Sequence, residues 1–125
     1  MTPEEALKAY EVLDPKIENL IRGLRRLGFN TVASCQGHPD KPWRFPQVNI
    51  RYQYNNACPE ILRLKTYVDK FKDRYKINGW NNQFWFRFGN DGLFCVMVYS
   101  IIGLEDAQKV ADDLGLYLQK CKKLK

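Results

Sequence analysis

The sequence predicts a single α+β domain spanning residues 1–125, with a four-stranded, mostly antiparallel sheet packed by helices. Three observations lead there. Apolar residues recur at helical spacing in three separate stretches, a clean period-two alternation runs from Gln47 to Tyr54, and Gly89-Asn-Asp-Gly92 joins two aromatic-rich runs as a hairpin turn. At 125 residues with 45% hydrophobic side chains, the chain can bury one real core and no second one.

Thr2-Pro3-Glu4-Glu5 begins the first helix, with Thr2 as N-cap, Pro3 in the first turn and Glu5 completing a capping box. It ends near Leu13. Asp14-Pro15 repeats the start signal, and Ile17, Leu20, Ile21, Leu24 and Leu27 form one apolar stripe. Arg25 and Arg26 suit the negative end of that helix, and Gly28 suits its C-terminal cap. Phe29 to Ser34 is the first strand. In the second, Gln47 to Tyr54, Val48, Ile50, Tyr52 and Tyr54 face one way and Asn49, Arg51 and Gln53 the other.

Pro59 opens a helix whose inner stripe is Ile61, Leu64, Val68, Phe71 and Tyr75. Ile77 to Gln83 is expected to be loop, Phe84 to Phe88 a strand and Leu93 to Ile102 its hairpin partner. Phe94-Cys-Val-Met-Val-Tyr99 is apolar without alternation, which predicts a central strand covered on both faces. The last helix runs from about Leu104 to the C-terminus, with Ala107, Val110, Ala111, Leu114, Leu118 and Cys121 inward. The order is αα-ββ-α-ββ-α, in which a ββα pattern occurs twice without sequence identity between the copies.

The formal net charge is +6. Most of the excess lies in residues 29–57 (three cations against one acid) and 58–80 (six against three). That balance is compatible with a polyanionic partner without requiring one. No apolar run approaches the roughly 18–20 residues of a membrane span, and the N-terminus lacks a basic region followed by an apolar core. The four cysteines, Cys35, Cys58, Cys95 and Cys121, match neither a compact disulfide scaffold nor a zinc ribbon. We therefore expect reduced cysteines, a cytoplasmic location and no membrane partner.

The chemistry concentrates after the first strand, in Ser34-Cys35-Gln36-Gly37-His38 and on to Trp43 and Arg44, where the chain's single histidine stands three residues from a cysteine. Gly37 permits a positive φ and close approach of a ligand to the backbone. The segment resembles the Ser-Cys-x-Gly-His signature of small bacterial and phage proteins without an assigned function. There, as with Gly28-Phe29-Asn30-Thr31 and Val48 to Tyr54 here, it follows a Gly-aromatic-x-Thr stretch and precedes a strand. It is also similar to the Ser-Cys-x-Gly segment of wybutosine-synthesising tRNA methyltransferases, which carry arginine where this chain has His38. Neither resemblance implies an activity here.

Cys35 and His38 admit three readings. They supply half of a metal shell, to be completed by Cys58, Cys95 or Asp40. They also make a nucleophile and base, with Asp40 or Asn49 as orienting group. In the third reading they shape a binding pocket. Cys95 and Cys121 lie in apolar patterns, where cysteine behaves as a small hydrophobe, and no cysteine-hydrolase flanking pattern surrounds Cys35. The expectation is therefore a non-enzymatic module without cofactor or resident metal. Its candidate binding residues are Ser34, Cys35, Gln36, Gly37, His38, Trp43, Arg44, Asn49, Arg51, Trp85 and Arg87. Aromatic planes interleaved with arginines suit a nucleotide or single-stranded nucleic acid, tryptophans stacking on bases and arginines holding phosphate. The alternative is a protein-binding inhibitor or adaptor of phage type, because the same residue types dominate interface hot spots.

Overall fold

The structure, a computed structural model, describes residues 16–38, 45–52, 58–76, 81–89 and 92–123. The predicted helix from Thr2 to Leu13 lies outside them. The observed elements are α1 (Glu18–Arg26), β1 (Asn30–Cys35), β2 (Gln47–Arg51), α2 (Cys58–Tyr75), β3 (Asn82–Phe88), β4 (Leu93–Ser100) and α3 (Leu104–Leu118). The strands form one sheet in the order β1-β2-β4-β3, and all three pairings are antiparallel. Each ββα unit thus contributes an outer and an inner strand, and the two inner strands pair at the centre.

The stripe of α1 is buried as its spacing predicts, with Ile17, Leu20, Ile21, Leu24 and Leu27 in the core. Its end is a Schellman motif. Gly28 takes φ +91°, its amide donates to Arg25 O, and the Phe29 amide reaches back to Leu24 O at 3.0 Å. The central strands supply Val48, Ile50, Phe94, Val96 and Val98 to the same core, and α2 and α3 close it. All the described helices therefore lie on one side of the sheet. None of them is long and apolar enough to cross a membrane.

Several boundaries differ from the sequence reading. Asn82 and Gln83, expected in a loop, already belong to β3, where Asn82 donates to Asp106 at 2.9 Å and becomes buried. α3 stops at Leu118 because the Arg26 guanidinium bonds both Leu118 O and Cys121 O, turning the chain away from the helix axis. In α2 the inward tyrosine is Tyr67, held by its hydroxyl on Lys122 O at 2.9 Å, while Tyr75 is 47% exposed.

The largest correction concerns β4. It is central, as its apolar run implies, but it is not covered equally on both faces. Phe94, Val96 and Val98 are buried, whereas Leu93, Cys95, Met97 and Tyr99 remain half-buried on the side away from the described helices. An apolar strand of this kind gives the open face of the sheet an apolar spine.

Candidate functional site

The open face is assembled by register. Across β1-β2-β4-β3, Cys35 pairs with Gln47, Gln47 with Met97 and Met97 with Trp85. The next row is Ala33, Asn49, Cys95 and Arg87. Directly paired residues point to the same side of an antiparallel sheet, so both rows face outward together. Arg51 follows on β2, opposite Leu93. The result is an apolar spine on β4 flanked by polar and aromatic rows on β2 and β3.

Trp85 and Arg87 rim a depression of about 320 Å³ together with Gln47, Asn49, Phe88 and Met97. No acidic side chain among the described residues lines it. Trp85 is 47% exposed and stacks on Tyr99 with ring centres 5.2 Å apart and 14° between planes, and its indole N–H donates to Gln83 Oε1 at 2.6 Å. Those contacts hold the indole in one orientation. Phe45, at the end of the β1–β2 loop, meets the other tyrosine partner position, edge-on to Tyr99 at 4.8 Å. Cys95 Sγ lies 3.6 Å from Gln47 Oε1, a weak hydrogen bond that orients the amide. Burial pushes the Cys95 thiol upward, against the opposing pull of the Arg87 charge and a backbone bond at Val48. It therefore remains a neutral wall of the depression at physiological pH.

The loop residues divide between two sides. Cys35 ends β1 on the open face, and its Sγ accepts a hydrogen bond from the Gly37 amide at 3.4 Å. Ser34 pairs with Val48, in the row that faces the helices. Gln36 is also tied to that side: its Oε1 accepts from the Lys16 amide at 3.2 Å and its carbonyl from Gln108 Nε2 at 2.9 Å. Gly37 is buried at φ +97°, which explains why glycine stands there, and His38 is half-buried beyond it. Trp43, Arg44 and Asp40 lie outside the described residues. The structure thus brings together Cys35, Asn49, Arg51, Trp85 and Arg87, and sets Ser34 and Gln36 apart from them. Among the described residues, no three His, Cys, Asp or Glu side chains cluster as they would around a metal ion.

Gln47, Met97 and Tyr99 belong to the face and were not singled out from sequence. Gln47 was legible, since it shares the alternation of Asn49 and Arg51. Met97 and Tyr99 were hidden because both faces of β4 are apolar. Compared with protein-family models, curated proteins and solved structures, the chain matches none.

Proposed function

We propose that this protein is a small binding module for a nucleotide or single-stranded nucleic acid, held on the open face of the sheet. The observation that carries the reading is the union, on one face, of an anchored half-exposed indole, an arginine two residues along the same strand and amide side chains across the spine. A base stacks on Trp85 and the apolar spine, Asn49 and Gln47 offer hydrogen bonds to base edges, and Arg87 and Arg51 attract phosphate. An antiparallel sheet with helices on one side and aromatics on the other is a recurring platform for unpaired bases.

The test is fluorescence anisotropy of a labelled single-stranded oligonucleotide over a salt series. Trp85→Ala is expected to cost about 1–3 kcal/mol, the range for a lost base–aromatic stack. Arg87→Ala is expected to flatten the slope of log K against log salt by about 0.7. Unchanged affinity in the Trp85→Ala/Arg87→Ala double variant would sink the proposal. Trp85, 47% exposed beside the apolar spine, also suits a second reading in which the face docks a protein. That reading predicts no oligonucleotide binding, and capture of a partner that depends on Trp85 and only weakly on salt.

A further inference from the structure

A second concave site lies on the other side of the molecule, where the last turns of α2 meet the chain leaving α3. It is a groove of about 470 Å³. Tyr67, Tyr75 and Tyr117 line it, and Lys70, Arg74, Lys120 and Lys122 surround them. No acidic side chain among the described residues contributes to the lining. The spacing of Tyr67, Lys70, Arg74 and Tyr75 places them along one face of α2.

The aromatic floor is fixed. Tyr75 and Tyr117 meet edge-to-face at 6.1 Å, and both pack on Phe71, at 4.8 and 5.6 Å. Burial and the neighbouring Cys121 raise the Tyr117 phenol above its ordinary value, so it stays protonated.

Lysines beside a helix C-terminus often do no more than balance its dipole. Here that role is filled by other groups. Arg26 bonds Leu118 O and Cys121 O, the Tyr67 hydroxyl bonds Lys122 O, and the Gln119 and Lys120 amides bond Gly115 O and Tyr117 O. Arg22–Glu18 and Arg63–Glu60 form ion pairs, and neither involves a cation of the groove. Four like charges are therefore gathered around one concavity without a counter-charge among the described residues, a cost that a bound anion would remove.

We propose that this groove binds a small ligand carrying two or more adjacent phosphoryl groups, with the cations holding the phosphates and the tyrosines supplying hydroxyl donors and ring surface. The site is separate from the open face, since α2 and α3 lie on the opposite side of the sheet from Trp85 and Arg87. The inference goes beyond the proposed function and does not depend on it.

The experiment is isothermal titration at fixed ionic strength with two probes, inorganic tripolyphosphate and ATP. Saturable one-site binding of at least one probe is expected. Arg74→Ala/Lys120→Ala is expected to raise Kd at least about tenfold, the loss expected on removing charge-assisted bonds. The charge-matched Lys65→Ala/Lys109→Ala variant and the sheet-face Trp85→Ala/Arg87→Ala variant are expected to stay within about twofold of wild type, a change smaller than the loss of a single charge-assisted bond. Because the substituted side chains are exposed, folding is checked by circular dichroism, and Lys70→Glu provides a second, single-site disruption. ATP binding tighter than tripolyphosphate would assign the ring surface to a base, and equal affinity would confine recognition to the phosphates. Absence of saturable binding by both probes overturns the proposal. So does equal weakening by the charge-matched variant, or a loss confined to the sheet-face variant, which would move phosphate affinity to the open face.

Discussion

Gly115→Ala tests the helix crossing that shapes the helical side of the molecule. A Cβ on Gly115 would lie 2.5 Å from Asn19 O and closer still to Asn19 C and Leu20 N, all backbone atoms of α1. The opposing Gly23 is also tight, with its added Cβ 2.7 Å from Gly115 O and Leu118 Cβ. Ordinary contact begins near 3.4 Å, so α1 and α3 would have to separate by roughly 1.1 Å. That movement strains the bonds across the crossing, from Asn19 Nδ2 to Asp112 at 2.7 Å and from Gln119 Nε2 to Asn19 O at 3.1 Å. Overpacking of this kind costs about 1–3 kcal/mol, and contact with rigid backbone places it near the top of that range. Replacing glycine inside a helix returns about 1 kcal/mol of propensity. The net loss is about 2 kcal/mol, a fall in Tm of roughly 6–10 °C for a domain of this size. Thermal denaturation followed by circular dichroism measures it, with exposed Lys109→Ala as a control expected within about 0.5 kcal/mol of wild type. A Gly115→Ala protein melting at or above the wild-type temperature would mean that propensity wins and the backbones are not in contact.

Three further outcomes follow from single contacts. Asp106 accepts from Ser100 Oγ at 2.6 Å and Asn82 Nδ2 at 2.9 Å, and those bonds hold its carboxyl below the ordinary 3.8. Its stabilising contribution is complete above that value and is lost as pH falls through the lower folded-state pKa. Asp106→Asn is thus expected to be less stable than wild type at neutral pH, with the gap closing in acid; urea midpoints that differ equally at both ends would refute this. Cys95 is expected to react with iodoacetamide more slowly at pH 8 than glutathione does, and more slowly again in Arg87→Ala, which removes the charge favouring its thiolate; a faster rate in that variant would contradict the assignment. Arg26→Ala is expected to cost about 1–2 kcal/mol and to speed amide exchange beyond Leu118, and Arg26→Lys is expected to recover little because both bonds leave Nη1, which lies farther along the side chain than a lysine ammonium reaches. Full recovery by lysine would show that charge alone caps the helix.

Local signals carried much of the architecture. The stripe of α1, the Gly28 cap and the alternation of β2 over Gln47–Arg51 each depend on residues a few positions apart, and each appears where its spacing placed it. The same locality placed Trp85 beside Arg87, and Asn49 beside Arg51, on common strand faces. The composition and periodicity of residues 16–123 were sufficient for the fold class.

Tertiary structure decided what no local pattern encodes. Strand order depends on pairing between β2 and β4, segments far apart in the chain, and that pairing alone brings Asn49 to Cys95 and thence to Arg87. The apolar run of β4 is equally compatible with two covered faces or one, and only the placement of every described helix on the Val96 side left Met97 and Tyr99 on the other. Gln36 looked like a ligand group until Gln108, 72 positions away, took its carbonyl. The tyrosine and lysine groove exists because Arg26 and Tyr67 turn the end of α3 toward α2. Sequence periodicity sets which side of an element is apolar, but contacts between distant segments set what that side meets, because their free energy depends on the whole chain closing around one core.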